Sequence, residues 1–300
     1  MAIKSFDDLK SRLKADSHEQ RTVAVANAAD EHTLQAVLSL YHEDYIRPLL
    51  VGDKDAISQL LADLNEDVSL FDIYHETTPE SIAAKAVSLV KEGAAQVLLK
   101  GGIQTRDLLK AVVNKETGIR KPGVLSHVAI NEVPTYHKLL LVSDGGMVLT
   151  PDVKMKQAIL DNALSVYRGL GYDQINVGIL DASENVNPKL QASQDAVELK
   201  ELAGTTGYEN VKIEGPISLD LSISKEIAEA KGYDSEIAGD MDVLLVPDIV
   251  TGNVLGKSLT TLAGGKMAGL IIGAEAPIVL TSRGSSMEEK LNSLLLAISL

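Results

Sequence analysis

The chain has 300 residues, of which 45 % are hydrophobic and 23 % are charged. This balance is ordinary for a globular protein and excludes the disordered and fibrous classes, while the length allows two domains. The net charge of −14 opposes non-specific attraction to nucleic acid or to an anionic membrane, and the absence of cysteine excludes disulfides, thiolate metal sites and cysteine nucleophiles.

The N-terminal stretch MAIKSFDDLKSRLK has no apolar segment of the signal-peptide type. No stretch approaches the ~18 apolar residues that span a bilayer, so we expect a cytoplasmic protein without a membrane partner. The six histidines show no metal-ligand spacing, and the chain has two phenylalanines and no tryptophan. We therefore expect neither a bound metal nor a base-stacking surface for nucleic acid.

Apolar, β-branched runs with helical segments between most of them predict the strands. These runs lie at 22–28, 47–52, 95–102, 175–180, 242–248, 269–274 and 277–282. Such near-continuous hydrophobicity is typical of mainly parallel sheets covered by helices on both faces, so the predicted class is α/β. The runs VLSHVAINE and KLLLVSDGG are separated by a connection too short for a parallel crossover, which predicts an antiparallel pair.

A helix predicted after Thr150 follows one complete set of alternating strands and helices and precedes another. It therefore predicts two domains, the first formed by 1–145 plus 275–300 and the second by 146–274. The final helix contains LLLAISL and is expected to be buried, packed back against the first domain. This arrangement predicts a cleft between the two domains.

The stretch LLKGGIQTRDLLKAVV places a glycine turn between a strand and a helix. Lys100, Gly101 and Gly102 end the strand, and Thr105 is expected to cap the helix. The positive end of that helix would favour a phosphate group, and Lys100 and Arg106 add charge. A glycine turn that serves only the fold is the alternative.

The stretch VPDIVTGNVLGKSL predicts a second strand-end turn. The strand is expected to end at Asp248, the turn to include Thr251 and Gly252, and the helix to begin near Asn253. Thr251 and Asn253 would then offer polar contacts to a ligand at the carboxyl end of the strand. A purely structural turn is equally compatible with this pattern.

The stretch APIVLTSRGSSMEEK joins a buried strand to a charged helix start. The pair Ser285-Ser286 stands three residues before Glu288 and Glu289, which is the spacing of a capping box. Capping explains neither member of the preceding Ser282-Arg283 pair, which a parallel strand would deliver to a binding crevice. Arg283 is therefore the strongest binding candidate.

Together these stretches resemble the phosphate acetyltransferase and phosphate butyryltransferase family over nearly the whole chain. The motifs that carry the resemblance are KGGIQTRDLLKAVVNKETGIR, VLSHVAINEVP, DGGMVLTPDVKMK, VNPKLQASQDA, IEGPISLDLSISKEIAEAKG, MDVLLVPDIVTGNVLGKSL and APIVLTSRGSSMEEKL. KGGIQT, the SHV segment and VNPK are closer to the butyryltransferase branch. The resemblance implies two α/β domains with an interdomain cleft, similar to isocitrate and isopropylmalate dehydrogenases, and a homodimer.

The same resemblance implies an acyltransferase that exchanges a short-chain acyl group, butyryl, between coenzyme A and inorganic phosphate. Coenzyme A is then a substrate, no cofactor is bound, and the thiolate attacks directly in a ternary complex. An acetyltransferase is the alternative within the family. A metal-dependent hydroxyacid dehydrogenase and a non-catalytic acyl-CoA sensor are alternatives outside it.

The resemblance also implies roles for individual residues. The catalytic motif of the family corresponds to Ser282, Arg283, Gly284 and Glu289. The family commonly has Asp where this chain has Glu289, so Glu288 or a capping role remains open. The family's arginine in the helix after the glycine turn corresponds to Lys110, which cannot form a bidentate fork, and Arg106 is the alternative. The substrate-binding candidates are Lys100, Gly101, Gly102, Thr105, Arg106, Lys110, Thr251, Gly252, Asn253 and Gly284.

Overall fold

The computed structural model describes residues 3–15, 20–281 and 285–300. Contacts within the chain divide it into two compact units. The first unit comprises 9–123 and 268–300, and the second unit comprises 1–8 and 124–267.

The boundaries between the two units lie at other positions of the chain than the predicted domain boundaries. The sequence placed the changes near 145 and 275, whereas the compact units change at 8/9, 123/124 and 267/268. The difference arises mainly from the antiparallel strand pair, because its second strand forms a ladder with strand Val243–Leu245 and so belongs to the second unit.

The secondary structure follows the alternation that the sequence predicts. The strands are β1 Arg21–Ala26, β2 Ile46–Gly52, β3 Asp72–His75, β4 Val97–Lys100, β5 Ser126–Glu132, β6 Leu140–Ser143, β7 Ile175–Leu180, β8 Val211–Ile217, β9 Val243–Leu245, β10 Lys266–Ile272 and β11 Ile278–Val279. The α-helices are α1 Phe6–Ala15, α2 Glu31–His42, α3 Lys54–Asp63, α4 Pro79–Lys91, α5 Thr105–Val112, α6 Val153–Gly169, α7 Gln191–Lys200, α8 Leu219–Ile223, α9 Lys225–Ala230, α10 Ile249–Lys257 and α11 Met287–Ile298. All seven predicted strands are present.

The strands of the first unit lie in the order β3-β2-β1-β4-β11-β10. The ladders from β3 to β11 are parallel, and β10 is antiparallel to β11. β4 is buried throughout and β1 is buried from Val23 to Ala26, as their apolar sequences predict. β3 was not predicted, because its four residues DIYH are partly exposed at the sheet edge and form no apolar run.

The strands of the second unit lie in the order β5-β6-β9-β7-β8. β5 and β6 are antiparallel, which confirms the prediction for this pair, and the other ladders are parallel. The edge strand β8 was not predicted, because exposed Lys212 and half-buried Glu214 alternate with buried residues along it and interrupt the apolar run.

The parallel ladders of the first unit bring several carboxyl-terminal strand ends to one edge of its sheet. Ala26 at the end of β1 is level with Lys100 at the end of β4, and Leu99 is level with Val279 of β11. The C-terminal helix α11 packs against α2, β4 and β11. The residues that directly follow β1 and β4 are therefore neighbours of Leu280 and Thr281 after β11, although the three segments are far apart in the sequence.

Candidate functional site

The glycine turn after β4 is fixed by the end of β1. The N–H groups of Gly101 and Gly102 donate hydrogen bonds of 2.9 and 2.8 Å to the carbonyl oxygens of Ala26 and Asn27. A Cβ atom on Gly101 would lie 2.2 Å from the Asn27 carbonyl oxygen. Glycine is thus required for the close approach of two strand ends, and these two N–H groups are already used within the fold.

Helix α5 begins one residue earlier than its predicted cap requires. Gln104 occupies the N-cap position and Thr105 is the first helical residue, so the prediction that Thr105 caps this helix was wrong. Arg106 and Lys110 are both exposed and stand four residues apart, so they lie on the same face of α5. Lys100 is buried at the end of β4. The predicted cations therefore differ in exposure, two on the helix surface and one within the sheet edge.

Of the predicted catalytic motif, Ser282, Arg283 and Gly284 lie outside the described residues, and the described chain resumes at Ser285. Ser286 is the N-cap of α11 and accepts the Glu289 N–H at 3.1 Å. The Ser285 hydroxyl donates to Glu289 Oε1 at 2.6 Å. Among the described contacts, the Glu289 carboxylate is therefore held by Ser285 and not by the cap.

A buried lysine beside this helix start was not predicted from the sequence. Lys290 Nζ donates to Thr281 Oγ1 at 3.2 Å, and both residues are buried. The segment MEEK looks like the solvated first turn of a helix, and nothing in its pattern distinguishes Lys290 from an exposed charge. Only the packing of α11 against α2 and the sheet, seen in the structure, identifies Lys290 as an interior residue.

Asp30, which caps α2 after β1, lies on the same edge. Its Oδ1 accepts hydrogen bonds from the N–H of Thr33, at 2.8 Å, and from the Thr33 hydroxyl. Burial opposes ionisation of Asp30, but the hydrogen bonds from Thr33 and the charge of Lys290 outweigh it, and the pKa of Asp30 is lowered. The pattern of an Asp between an apolar strand and a helix could have identified this residue, since Asp is a favoured N-cap.

The predicted turn after β9 is a helix start in the second unit. Asp248 caps α10, and its carboxylate accepts the N–H and the hydroxyl of Thr251 at 2.8 and 3.0 Å. The expectations of a turn at Thr251 and Gly252 and of a helix beginning near Asn253 were wrong, because the Asp248 cap starts α10 at Ile249. The Thr251 hydroxyl is consequently engaged in capping.

Gly252 and Asn253 connect α10 to the loop after β6. A Cβ atom on Gly252 would lie 2.7 Å from the Gly145 Cα, and Asn253 Nδ2 donates to the Gly145 carbonyl oxygen at 3.3 Å. In that loop the buried Asp144 carboxylate accepts three backbone N–H groups, at 2.7, 2.9 and 3.1 Å. These contacts make the loop and the start of α10 one rigid element.

His127 lies beside the same loop and was not predicted as a site residue. Its ring is in close contact with Gly146, since a Cβ atom there would lie 3.0 Å from the His127 Cγ. Burial lowers the pKa of His127, and the charge of Asp144 opposes this effect. His127 Nδ1 is buried and has no hydrogen-bond partner among the described residues.

The described part of the chain contains neither a candidate metal site nor a candidate membrane-spanning helix. Within the described ranges, no group of three or more His, Cys, Asp or Glu side chains is placed to hold a metal ion. Among the helices of those ranges, none has the length and apolar character needed to cross a bilayer.

Comparison with known proteins identifies relatives over nearly the whole chain. Residues 76–298 match the family described as "Phosphate acetyl/butaryl transferase". The phosphate butyryltransferases of Clostridium acetobutylicum and Clostridium beijerinckii are each 37 % identical, over 98 % of this chain and 97 % of their own. A phosphate acetyltransferase of Rhizobium meliloti is 34 % identical over 96 % of this chain and 90 % of its own.

Solved structures agree with the sequence relatives. A branched-chain phosphotransacylase from Enterococcus faecalis V583 superposes with a TM-score of 0.82 at 36 % identity, covering 93 % of this chain and 98 % of its own. A 4-hydroxythreonine-4-phosphate dehydrogenase from Klebsiella pneumoniae reaches a TM-score of 0.54 at 12 % identity, covering 94 % of this chain and 100 % of its own. The second similarity concerns the fold alone and agrees with the predicted dehydrogenase-like α/β architecture.

Proposed function

This chain belongs to the phosphate acetyl- and butyryltransferase family, and from that premise we propose that it transfers a butyryl group between coenzyme A and inorganic phosphate. The observation that carries the proposal is the similarity to two proteins named phosphate butyryltransferase, at 37 % identity over 98 % of the chain. The KGGIQT, SHV and VNPK segments of the sequence support the butyryl branch.

The reaction requires one displacement at the acyl carbon. In the direction that consumes acyl phosphate, the coenzyme A sulfur forms a C–S bond with the carbonyl carbon, the C–O bond to the phosphoryl group breaks, and inorganic phosphate leaves. The chain has no cysteine, so the reacting thiol belongs to coenzyme A. We propose direct attack in a ternary complex, in which holding both substrates together supplies much of the rate enhancement.

In this proposal Glu289 takes the proton of the thiol, because the thiolate is the nucleophile. Its carboxylate is half-buried at the start of α11 and accepts the Ser285 hydroxyl at 2.6 Å, which restricts its orientation. Arg283 would bind phosphoryl oxygens and stabilise the negative charge that develops on the acyl carbonyl oxygen, with Ser282 as a neutral donor.

The substrate-binding roles are proposals of the same kind. In the first unit, Arg106 and Lys110 offer positive charge on one face of α5, beside the turn formed by Lys100, Gly101 and Gly102. In the second unit, Asn253 near the start of α10 is exposed although its Nδ2 also donates to Gly145, whereas the Thr251 hydroxyl caps the helix and Gly252 is buried against the loop. We therefore expect Asn253 to be the most available of these three for a substrate contact.

The test is the release of free coenzyme A from a panel of acyl-CoA thioesters, with and without inorganic phosphate. We expect butyryl-CoA to give the highest kcat/KM and phosphate to be required. Equal rates without phosphate would identify a thioesterase and contradict the proposal. A preference for acetyl-CoA would favour the second candidate, a phosphate acetyltransferase, which the 34 % identity to the Rhizobium meliloti relative supports.

We further propose a homodimer, which the sequence resemblance implies, and a cytoplasmic location, which the sequence pattern led us to expect. Light scattering coupled to size-exclusion chromatography would test the first, and a monomer at assay concentrations would contradict it. Cell fractionation followed by activity measurement would test the second.

A further inference from the structure

Lys290 is a buried cation whose only described hydrogen-bond partner is neutral. The residue is 8 % exposed, and its Nζ donates to the Thr281 hydroxyl at 3.2 Å. The ion pairs found among the described residues, within 4.0 Å, do not include Lys290. An ammonium group has three N–H donors, so the described residues leave two of them unused.

Such a position is unfavourable without an anion. Removing an ammonium group from water costs several kcal/mol unless an opposite charge and further hydrogen bonds compensate for the lost hydration. Asp30 compensates only in part, since it lies farther than an ion-pair distance and its Oδ1 accepts from Thr33. A bound anion at Nζ would provide the missing charge and the missing acceptors.

The location of Lys290 connects it with the site proposed above. Its partner Thr281 lies two residues after the end of β11 and directly precedes Ser282 in the sequence. Asp30, near enough to Lys290 to feel its charge, adjoins the glycine turn, because a Cβ atom on Gly102 would lie 3.5 Å from the Asp30 Cβ. Lys290 thus lies at the carboxyl-terminal edge of β1, β4 and β11.

We infer that Lys290 binds a phosphoryl oxygen of inorganic phosphate or of the acyl phosphate, as a point charge held in place by Thr281. This inference rests on the proposed function and extends it by one residue. The family position that corresponds to Lys110 carries an arginine, and a lysine there provides no bidentate fork. A second, buried ammonium would supply a phosphate contact that the exposed Lys110 alone does not.

The decisive variant is Lys290→Met, which replaces the charge with an apolar side chain of similar length. We expect the KM for phosphate to rise about tenfold or more, the range of a lost hydrogen bond to a charged group, with the KM for butyryl-CoA nearly unchanged. The melting temperature without phosphate should stay the same or rise, because an unpaired buried charge has been removed. The rise in melting temperature that inorganic phosphate causes should shrink relative to wild type.

The matched control is Lys115→Met, which removes the same charge from an exposed position of the same unit. It should leave the KM for phosphate and the phosphate-induced melting shift unchanged, and sodium chloride at equal ionic strength controls for screening. If Lys290→Met does not fold, Lys290→Gln retains a donor for Thr281 and loses the charge, so the same rise in KM is expected.

The outcomes separate this inference from the proposed function. An active wild type combined with an unchanged phosphate KM and melting shift in Lys290→Met would overturn the role of Lys290 alone. A wild type without phosphate-dependent release of coenzyme A would overturn the proposed function, while the phosphate-induced melting shift would still test Lys290 as an anion-binding residue. A lower melting temperature in Lys290→Met with an unchanged phosphate KM would identify a structural lysine and overturn the inference.

Discussion

Lys156 in the second unit and Lys290 in the first are both buried lysines on helices, but their surroundings differ. Lys156 Nζ contacts Asp195 Oδ2 at 2.7 Å, with both side chains only 5 % exposed, and Gln191 donates to the other Asp195 oxygen at 2.8 Å. Among the described residues, Lys290 Nζ has one hydrogen-bond partner, the Thr281 hydroxyl, at 3.2 Å. Lys156 is paired with a carboxylate and joins α6 to α7. For Lys290 the described residues supply a hydroxyl but no carboxylate within ion-pair distance, and the proposed phosphate contact rests on this difference.

The largest effect is expected where the ion pair is broken. Lys156→Met leaves the Asp195 carboxylate buried and unpaired, which should lower the free energy of unfolding by about 3–5 kcal/mol, measured by urea denaturation. Turnover per folded molecule should stay near that of wild type, since the pair is structural.

A double variant sharpens this prediction. Lys156→Met combined with Asp195→Leu removes both charges and should recover most of the lost stability, because an apolar pair of similar volume can replace a buried ion pair. A single variant as stable as wild type would show that the pair contributes nothing, and the comparison with Lys290 would lose its structural reference.

The next effect concerns Arg283. Arg283→Gln should lower kcat by roughly 100-fold or more, because a preorganised charged contact to the transition state is lost, while the melting temperature stays the same. Ser282→Ala should act in the same direction but less strongly, since a neutral hydrogen bond is weaker than a charge-assisted one. A turnover close to wild type in Arg283→Gln would contradict the catalytic role. It would identify Arg283 as a solvated surface charge, which contributes only about 1 kcal/mol or less to stability.

These residues also show what the sequence could predict. The α/β class, seven strands and the antiparallel pair follow from apolar runs and connection lengths, which are local properties of the chain. Lys156 and Lys290 could not be told from surface lysines, because their burial depends on which helices pack together. The predicted cap of α5 at Thr105 was one residue late, because Gln104 occupies the N-cap position. The predicted beginning of α10 near Asn253 was four residues late, because the helix begins at Ile249 after its Asp248 cap.

The two serines before α11 give the next prediction. Ser285→Ala removes the hydroxyl that holds the Glu289 carboxylate and should lower kcat about tenfold with the melting temperature retained. Ser286→Ala removes the N-cap and should cost about 1 kcal/mol of stability with kcat retained. Glu289→Gln removes the proposed base and gives the kcat expected without it. Ser285→Thr keeps a hydroxyl and should retain most of the wild-type kcat.

The contrast between Ser285→Ala and Ser286→Ala distinguishes a residue that orients the Glu289 carboxylate from a residue that caps the helix. If both serine variants lose only stability, Ser285 is part of the helix cap and does not orient a catalytic carboxylate. If both lose only activity, the assignment of Ser286 as a purely structural cap is wrong.

The smallest effect is a change in how Asp30 titrates. Burial raises the pKa of Asp30, and the Thr33 hydrogen bonds and the Lys290 charge lower it to a net value below its usual range. A carboxyl whose pKa is lowered by folding stabilises the protein above the pKa of the unfolded chain, ~3.9, and this contribution is lost as the pH falls through the folded-state pKa. In Lys290→Met the positive charge that lowers the pKa of Asp30 is absent, so this pKa should rise. The wild type should then lose more unfolding free energy than the variant between about pH 6 and pH 3.

Carbon-13 NMR titration of the Asp30 carboxyl measures the change in its pKa, and Lys156→Met is the control that should leave this pKa unaltered. An Asp30 pKa that is the same in Lys290→Met and wild type would place the Lys290 charge away from this strand edge, and the distinction between the two buried lysines would then rest on hydrogen bonding alone.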